Sequence, residues 1–466
     1  MSSVAPETLA LQRLYHWEKA APDRIALTQP MGPGAVQDFT WGQVADQVRR
    51  MAAHLQAQGW EPGSKVAILS KNCAWWLMSD LAIWMAGYVS VPLYPTLAHD
   101  TVHQILTHSE AKACFIGKLD GWEGMKPGVP AGMPCISYAL SPQDAVKNYE
   151  GWDAICARTQ PLQGQPIRAA DELATLIYTS GTTGKPKGVM HTFGNFAWAL
   201  GAGIKRIPMG QEDRMLSYLP LAHVVERVLV EHGWLRTGMH LFFAESLDTF
   251  AADLQRARPT IFFSVPRLWV KFQQGIHHKM PEAKLNRLLS IPLIGGLVRR
   301  KVQKALGLDQ CRIAAGGAAP MPLALLQWYS KLGIDINEGY GMTENLAVSH
   351  ITVPGKNQQG SVGPAYEGVD HRTDPQTGEI QMRSPALMLG YYKEPEQSRE
   401  SFTADGWLRT GDKGHIDTQG NLHITGRVKD LFKTGKGKYV APAPIEDKLG
   451  THEAVEASVV TGANLG

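Results

Sequence analysis

The stretch that decides the fold is Tyr178–Val189, which reads YTSGTTGKPKGV. It combines glycines, which let backbone N–H groups approach an anion, with hydroxyls that donate hydrogen bonds and lysines that supply positive charge. In order, these residues are Thr179, Ser180, Gly181, Thr182, Thr183, Gly184, Lys185 and Lys187. The composition predicts a loop that holds the phosphates of a ligand; a flexible surface loop is the alternative.

The residues on either side of this loop predict a strand before it and a helix after it. Upstream, LATLIY (173–178) is an apolar run of strand length, and downstream VMHTFGNFAWAL (189–200) has apolar residues at helical spacing. Strand, glycine-rich loop and helix form a familiar phosphate cradle. The spacing excludes a Walker loop, which needs Gly-Lys-Ser/Thr after four intervening residues, because Pro186 stands at that point.

Composition describes a large globular protein with no nucleic-acid partner. The chain has 466 residues, with 44% hydrophobic and 19% charged, which leaves room for about three domains. A net charge of +3 is too small to argue for nucleic acid. Five scattered cysteines without CxxC spacing suit a reducing, cytoplasmic compartment. The N-terminus lacks the pattern of a signal peptide.

Alternating helical and strand-like segments predict an α/β fold with a mainly parallel sheet. Thr40 is a candidate N-cap for an amphipathic helix that ends near Gly59. The most apolar window, Cys73–Tyr94, contains Asp80 and predicts a buried helix and strand rather than a membrane span. From about residue 360, short runs divided by turn residues predict a β-rich region.

Two further motifs have the chemistry of nucleotide binding. NEGYGMTE (Asn337–Glu344) combines a glycine turn with an aromatic ring that can stack on a purine, a hydroxyl for phosphate and a carboxylate suited to Mg²⁺. IAAGGAAPMP (Ile313–Pro322) has small residues that let the backbone approach a base. A structural glycine turn is the alternative for this second motif.

Taken together, these motifs resemble the signatures of the adenylate-forming (AMP-binding) superfamily: acyl-CoA synthetases, luciferases and peptide-synthetase adenylation domains. The segments GYVSVPLYPTL, LAHVVER and FFSVPRLW look most like those of long-chain fatty acid–CoA ligases. The resemblance implies a large N-terminal domain (1–428) of two helix-covered β-sheets plus a small β-barrel-like subdomain at about 360–428. It also implies that 429–466 begins a small, mobile α+β C-terminal domain.

The resemblance gives each motif a role toward ATP. The Thr179–Lys187 loop would hold the phosphates, with Thr182 and Lys185 acting in catalysis. Thr343 would bond the α-phosphate and Glu344 would bind Mg²⁺, while Asp412 would accept hydrogen bonds from the ribose. The remaining nucleotide contacts implied are Gly316, Gly317, Ala318, Gly339, Tyr340, Gly341 and Arg427.

Three further positions follow from the same resemblance. His223 of LAHVVER would lie near the acyl carboxylate, although a lone histidine is more often structural; the next charged residues, Glu226 and Arg227, are expected to pair with each other. Arg227 stands where some bacterial long-chain enzymes have an aromatic gate, which makes such a gate doubtful here. Lys433 would act in the second step, after rotation about a hinge at Lys429.

The activity implied is the ATP-dependent conversion of a carboxylic acid, a medium- or long-chain fatty acid, through acyl-AMP to acyl-CoA. ATP, Mg²⁺ and CoA would be required, and pyrophosphate and AMP released. The alternatives are an enzyme that loads a carrier protein, a luciferase-like oxygenase and a non-catalytic nucleotide-binding relative. The family's adenylation lysine lies near its C-terminus and has no counterpart in these residues, so the 466 residues are expected to bind ATP but adenylate slowly.

One basic segment, His277–Gly307, belongs to none of these motifs. It is expected to be a solvated helix face; the alternative is attraction to CoA phosphates or to an anionic membrane surface. A cytoplasmic protein with peripheral membrane contact would be consistent with it. Acyl chain length and oligomeric state do not follow from the sequence.

Overall fold

The computed structural model describes residues 4–32, 34–180, 185–356, 358–429, 432–433, 439–440, 442–449, 455 and 459–461. Within these ranges the chain alternates between helices and strands, which confirms the predicted α/β fold class. No helix among the described residues is long and apolar enough to cross a membrane.

The first part of the chain, up to residue 259, is rich in parallel strands separated by helices. Its helices are α1 (Ala10–Ala20), α2 (Trp41–Gln56), α3 (Ala74–Met85), α4 (His99–Ser109), α5 (Trp122–Met125), α6 (Gln143–Asn148), α7 (Trp152–Arg158), α8 (Phe193–Arg206), α9 (Gly233–Thr237) and α10 (Phe250–Ala257). Its strands are β1 (Ile25–Gly32), β2 (Ala35–Thr40), β3 (Lys65–Leu69), β4 (Val89–Leu93), β5 (Ala113–Ile116), β6 (Cys135–Ser137), β7 (Glu150–Gly151), β8 (Leu173–Ser180), β9 (Pro186–Thr192), β10 (Arg214–Ser217) and β11 (His240–Phe243). A π-helix spans Glu226–His232, and 3-10 turns span Pro6–Thr8 and Lys126–Gly128.

From residue 260 onward, a helical segment is followed by mostly short strands. The helices are α11 (Pro266–Lys279), α12 (Glu282–Leu289), α13 (Ile294–Ala305), α14 (Leu323–Lys331), α15 (Pro395–Glu400) and α16 (Pro442–Leu449). The strands are β12 (Ile261–Ser264), β13 (Ile313–Gly316), β14 (Ile336–Tyr340), β15 (His350–Ile351), β16 (Asp370–Thr373), β17 (Glu379–Arg383), β18 (Gly390–Tyr391), β19 (Leu408–Ile416), β20 (Leu422–Arg427), β21 (Phe432–Lys433) and β22 (Tyr439–Val440). A 3-10 turn spans Thr343–Asn345.

The chain divides into two compact units that do not follow the sequence order strictly. The first comprises Met1–Pro259, Thr343–Ala347 and Pro385–Gln397, and the second comprises Thr260–Met342, Val348–Ser384 and Ser398–Gly466. Neither boundary falls at residue 428. The separate domain beginning at residue 429 therefore stays a prediction.

The first unit contains an eight-stranded sheet in the order β18-β9-β8-β4-β3-β5-β6-β7 and a four-stranded sheet in the order β10-β11-β1-β2. Strands β8, β4, β3, β5, β6 and β7 run parallel, as βαβ alternation requires. Every residue of α3 and β4 is buried, which confirms the helix and strand predicted within Cys73–Tyr94. Thr40 caps α2 as predicted, through a capping box with Gln43.

The second unit has two four-stranded sheets, in the orders β12-β13-β14-β15 and β16-β17-β19-β20. The second of these is antiparallel throughout, as the turn-rich sequence after residue 360 predicts. Ile380, Met382 and Leu422 form its buried face. A short antiparallel pair, β21 and β22, and helix α16 follow it.

The helix predicted from Val189 is wrong, because residues 186–192 form strand β9 and helix α8 begins only at Phe193. Strand β9 pairs with β8 on one side and β18 on the other, and these long-range sheet hydrogen bonds outweigh the local helical spacing. Thr192 then starts the helix through a capping box with Asn195. The predicted phosphate-binding segment Thr179–Lys187, which we call the signature loop, therefore connects two antiparallel strands rather than a strand and a helix.

Candidate active site

The signature loop is the tip of the β8–β9 hairpin. In its register Thr179 pairs with Lys187 and Ser180 with Pro186. Lys185 is exposed and Lys187 half-buried. The structure does not describe four of the predicted phosphate contacts, nor the side chains of Ser180 and Lys433. The four are Gly181, Thr182, Thr183 and Gly184.

A glycine behind the loop lets the hairpin pack closely. Gly188 lies opposite Tyr178 across β8 and β9, and a Cβ atom there would sit 3.1 Å from the Tyr178 ring. The Tyr178 hydroxyl lies 2.8 Å from His108 Nδ1, so the ring is held from both sides. Gly188 therefore allows the close packing of the hairpin against Tyr178.

Glu344, the predicted Mg²⁺ ligand, is buried and held by a tyrosine within the first unit. The Tyr391 hydroxyl donates to Glu344 Oε1 at 2.8 Å, and the Met388 N–H donates to the Glu344 carbonyl at 2.8 Å. Lys187 Nζ lies 5.3 Å from the centre of the same Tyr391 ring. Tyr391 thus contacts both a lysine of the signature loop and the glutamate of the NEGYGMTE motif.

Glu344 has the chemistry expected of a Mg²⁺ ligand. Its side chain forms no ion pair with any described residue, and Tyr391 occupies only one of its carboxylate oxygens. No cluster of three or more acidic, histidine or cysteine side chains occurs in the described ranges. A lone carboxylate suits Mg²⁺, which is usually bound through one or two carboxylates, waters and the substrate's phosphates.

A buried histidine on β9, the strand that also contains Lys187, holds the backbone next to Glu344 in place. His191 Nε2 lies 2.7 Å from the Thr343 carbonyl oxygen and must donate, since a carbonyl only accepts. Burial lowers the pKa of His191 to about 4, so the ring is neutral at pH 7.

Just beyond the 3-10 turn Thr343–Asn345, Leu346 and Ala347 both have positive φ, of 55° and 56°. Two successive left-handed non-glycine residues are costly, which indicates that the turn is held from outside.

His223 lies three residues before the π-helix Glu226–His232, an uncommon element that often occurs at functional sites. Burial lowers the pKa of His223. Its Nδ1 accepts a hydrogen bond from the Val225 N–H at 3.3 Å. The structure thus places a neutral histidine in the first unit, and contact with an acyl carboxylate stays a prediction.

The predicted Glu226–Arg227 ion pair is wrong, because successive side chains on a helix point in different directions. Glu226 Oε1 instead accepts three hydrogen bonds, from the Tyr218 N–H at 3.0 Å, Ser217 Oγ at 2.9 Å and Asn72 Nδ2 at 3.2 Å. Burial raises the pKa of Glu226 to about 8. The carboxyl group is therefore largely protonated at pH 7 despite its donors.

Arg227 pairs with two other buried acids. Its Nη2 donates to Asp80 Oδ2 at 2.6 Å, and its Nε lies 2.7 Å from Glu231 Oε2. All three side chains are 0% exposed. The guanidinium also lies 5.2 Å from the Trp76 ring centre and 5.6 Å from that of Trp84. Arg227, where an aromatic gate was not expected from the sequence, thus belongs to a buried charge cluster surrounded by aromatic rings.

The raised pKa of Glu226 predicts that stability falls with pH in the wild type. A carboxyl group whose folded pKa lies above its unfolded value contributes stability below about pH 4.5, and this contribution is lost as pH rises toward about 8. Glu226→Gln keeps an acceptor oxygen but cannot ionise. Relative to the wild type, it should gain up to about 1.4 kcal/mol for each pH unit in that window.

Urea titrations of both proteins across this pH range measure the effect as a difference. Glu61→Gln, at an exposed glutamate, is the control and should leave the pH profile unchanged. Parallel profiles for the wild type and Glu226→Gln would show that Glu226 is already ionised in the folded protein.

In the second unit, the predicted adenine motif lies at the ends of parallel strands β13 and β14. Gly316 ends β13, and a Cβ atom at Gly317 would lie 2.8 Å from the Gly339 carbonyl oxygen, so only glycine fits there. Ala318 has a positive φ of 66°. The predicted glycine turn starts later than expected, because Gly339 and Tyr340 are still paired within the sheet. Gly341 follows as the first residue beyond β14.

The predicted ribose residues form one connected group in the second unit. The Tyr340 hydroxyl donates to Asp412 Oδ2 at 2.6 Å, and Arg427 Nε lies 3.2 Å from Asp412 Oδ1. Asp412 and Arg427 face each other across β19 and β20. The side chain of Arg427 is 61% exposed and that of Asp412 only 13%, so the arginine is the more accessible partner.

Each unit therefore brings together part of the predicted set. Lys187, Thr343 and Glu344 are linked through His191 and Tyr391 in the first unit. In the second, Tyr340, Asp412 and Arg427 are linked directly, and the glycine-rich strand ends belong to the same unit. No local sequence signal points to His191 or Tyr391, because their contacts join residues far apart in the chain.

Comparison with known proteins agrees with these motifs. The family model described as "AMP-binding enzyme" matches residues 14–392. The chain is 30% identical over 481 residues to the long-chain-fatty-acid–CoA ligase FadD15 of Mycobacterium bovis, an alignment that covers 96% of this chain and 79% of that protein.

Solved structures show the same fold. ATP-bound MatB from Rhodopseudomonas palustris is 26% identical with a TM-score of 0.77, and the match covers 97% of this chain and 85% of that one. The anthranilate CoA ligase AuaEII, in complex with anthranoyl-AMP, has a TM-score of 0.79 at 22% identity, covering 97% and 83%. From the family match and the motifs in both units, we conclude that this chain belongs to the adenylate-forming AMP-binding enzymes.

Proposed function

We propose that this chain is an acyl-CoA synthetase that activates a medium- or long-chain fatty acid through acyl-AMP. The observation that carries the proposal is the group formed by Lys187, Tyr391 and Glu344. In it one tyrosine links a cation to a buried carboxylate that forms no ion pair with any described residue. Its chemistry matches the phosphate and Mg²⁺ contacts that adenylation needs. The similarity to a long-chain-fatty-acid–CoA ligase over 96% of the chain supports the substrate class.

In the first step, an oxygen of the substrate carboxylate attacks the α-phosphorus of ATP, the bond to the bridging oxygen breaks, and pyrophosphate leaves. Mg²⁺ would be held by Glu344 and neutralise charge on the phosphates when bound. Lys185 and Lys187 would attract the β- and γ-phosphates, and Thr343 would donate to the α-phosphate. These contacts matter most where negative charge develops in the transition state.

In the second step, the thiolate of CoA attacks the acyl carbonyl carbon, and AMP leaves with the electrons of the broken C–O bond. No cysteine of the chain is suited to compete as a nucleophile. Burial raises the pKa of Cys135, Cys156 and Cys311 to about 12, and raises those of the fully buried Cys73 and Cys114 as well. Neutral thiols are poor nucleophiles, so we expect no acyl-enzyme on these cysteines.

A panel of carboxylic acids tests this function directly. Fatty acids of increasing length, together with aromatic acids, are incubated with the full chain, ATP and Mg²⁺, with and without CoA. Pyrophosphate release reports adenylation, and mass spectrometry reports acyl-CoA. We expect the fastest release with medium- or long-chain acids, and acyl-CoA only when CoA is present.

The same panel separates the alternatives. Preference for an aromatic acid would overturn the fatty acid assignment while keeping the ligase. Acyl transfer to a carrier protein but not to CoA would indicate a loading enzyme, and oxygen consumption or light would indicate a luciferase-like oxygenase. ATP binding without pyrophosphate release for any acid would indicate a non-catalytic nucleotide-binding protein.

Asp412→Ala should weaken the binding of ATP and AMP. The substitution would remove the acceptor proposed for the ribose hydroxyls and leave the Tyr340 hydroxyl without its partner. Loss of such hydrogen bonds costs about 1–3 kcal/mol, or roughly 5- to 150-fold in dissociation constant, measured by calorimetry. The control is Asp405→Ala. It removes an aspartate that forms an exposed ion pair with Arg372. Equal affinities for the two variants would remove Asp412 from the site.

A further inference from the structure

The connection between α12 and α13 exposes apolar side chains that nothing in the described chain covers. Leu293 is 90% exposed and Leu297 68% exposed, and Ile291 and Ile294 are also exposed. We call these four residues, with Pro292, the apolar tip. An isolated exposed leucine is ordinary, but a contiguous exposed apolar group on a soluble surface usually marks an interaction site.

The tip is a defined structure rather than a loose loop. The Ile294 N–H donates to the Pro292 carbonyl at 2.8 Å, and the Gly295 N–H donates to the Ile291 carbonyl at 2.8 Å. Leu293 has a positive φ of 66°, a conformation that costs energy for a leucine. A Cβ atom at Gly295 would lie 2.4 Å from the Leu289 carbonyl oxygen, so glycine is required for this tight turn. The backbone therefore holds Leu293 in an exposed position at an energetic cost.

The opposite side of α13 is anchored to the second unit. Gln303 Nε2 donates to the Leu332 carbonyl at 2.9 Å, and Arg299 Nε donates to the Lys331 carbonyl at 2.9 Å. Residues 299 and 303 share a helix face, about 200° around the axis from Leu297 and Lys301. These two bonds fix which side of the helix faces solvent.

The solvent face of α13 continues from the apolar tip into positive charge. Arg300, Lys301 and Lys304 lie three, four and seven residues after Leu297, on the same helix face, and all are exposed. In the described part of the chain none of these cations is paired with a carboxylate, and Arg287 of α12 is likewise exposed and unpaired. A surface with apolar residues at one end and unpaired cations behind them is typical of helices that lie in a membrane interface.

We propose that the apolar tip and the basic face of α13 dock this chain on an anionic phospholipid bilayer. The leucines and isoleucines enter the boundary between headgroups and acyl chains, while Arg300, Lys301 and Lys304 contact lipid phosphates. A protein partner that buried the same surface would need acidic groups around an apolar pocket, whereas an anionic bilayer supplies both properties at once. The docking stands on this surface alone; its use, access to acids dissolved in the bilayer, rests on the proposed function.

Vesicle flotation with the full chain tests the proposal. We expect the wild type to float with vesicles of phosphatidylcholine and phosphatidylglycerol, and much less with phosphatidylcholine alone. The double variant Leu293→Ser/Leu297→Ser should lose about tenfold or more in partition coefficient, because it removes the inserting side chains. Arg300→Glu/Lys301→Glu should lose a similar factor and, unlike the wild type, show little dependence on salt.

Matched controls come from exposed residues elsewhere. Leu247→Ser removes a leucine that is 91% exposed in the first unit, and Lys147→Glu/Lys356→Glu makes the same change in net charge at other exposed positions. Both controls should float like the wild type. Because all these residues lie at the surface, near-identical melting temperatures will show that the variants are folded.

Three results would overturn the docking: no flotation of the wild type, equal flotation of all variants, or a tip variant that changes the oligomeric state in light scattering but not flotation. The proposed function is tested separately, by pyrophosphate release with a water-soluble acid and no vesicles. The tip variants should be unchanged in that assay. Flotation without any pyrophosphate release would contradict the proposed ligase activity and leave the proposed membrane docking standing.

Discussion

Glu344→Gln is expected to lower the rate of Mg²⁺-dependent pyrophosphate release by about 10²–10³, the usual effect of removing one preorganised electrostatic contact from a developing charge. Glutamine has the same shape and still offers an oxygen to the Tyr391 hydroxyl, so the turn at Thr343–Asn345 should persist. Only the negative charge is lost. Any loss of rate therefore reports on charge rather than on folding.

The measurement is the initial rate of pyrophosphate release over a range of Mg²⁺ concentrations, with ATP affinity determined separately without Mg²⁺. If Glu344 binds the metal, the variant should need more Mg²⁺, while its metal-free ATP affinity stays close to that of the wild type. Unchanged rate and unchanged Mg²⁺ dependence would exclude Glu344 as the ligand.

The chain offers a matched pair of neighbouring tyrosines as a further control. Tyr391→Phe removes the hydroxyl that orients Glu344 and should weaken Mg²⁺ affinity by about 10- to 100-fold, as loss of a group that orients a metal ligand does. Tyr392→Phe removes a hydroxyl that contacts the exposed Glu110 instead. It should behave like the wild type.

The sequence predicted the local structure well where one rule dominated. Thr40 starts α2 because its hydroxyl caps the helix, and the most apolar window became a fully buried helix and strand. It failed at Val189–Thr192, where helical spacing and strand pairing competed. Nothing local reveals that β18, about two hundred residues later, supplies the second neighbour of this strand.

The candidate site shows the same division. Composition was enough to select Lys187, Tyr340 and Glu344, because each of their motifs concentrates the chemistry of a nucleotide contact, whereas Asp412 was selected only through the resemblance to the adenylate-forming family. The partners were not predictable, because Tyr340 and Asp412 are 72 positions apart in sequence and Arg227 and Asp80 are 147 apart. Adjacent charges such as Glu226 and Arg227 look like a pair in sequence, yet the helix turns them toward different neighbours. The individual roles of these residues toward ATP stay predictions until the variants are measured.

The largest loss of stability should come from Arg227, whose guanidinium is enclosed with two carboxyl groups. Burial raises the pKa of Asp80 and raises that of Glu231 well above its ordinary value, while the charge of Arg227 opposes both shifts. Without the arginine, both carboxyl groups must be protonated for the protein to fold. Breaking a buried ion pair by removing one partner typically costs about 3–5 kcal/mol.

Arg227→Met keeps much of the side-chain volume and removes the charge, so its cost should depend on pH. Both carboxyl groups would have folded pKa values above their unfolded ones. The contribution of the protonated carboxyl groups to the free energy of unfolding is then fully present below about pH 4 and is lost as pH rises. The variant should therefore be far less stable at about pH 8 than at about pH 5. Urea unfolding at both pH values, followed by tryptophan fluorescence, measures this directly, since Trp76 and Trp84 surround the cluster.

Two further variants show whether charge burial is the cause. Arg50→Met removes an arginine from a partly exposed pair with Asp46 and should cost much less stability, without the same pH dependence. The triple variant Asp80→Leu/Arg227→Met/Glu231→Met replaces the cluster by apolar side chains of similar size. It should recover most of the stability that Arg227→Met loses, because no charge is left to bury. If the triple variant were no more stable than Arg227→Met at about pH 8, packing by the arginine, rather than its charge, would hold this region together.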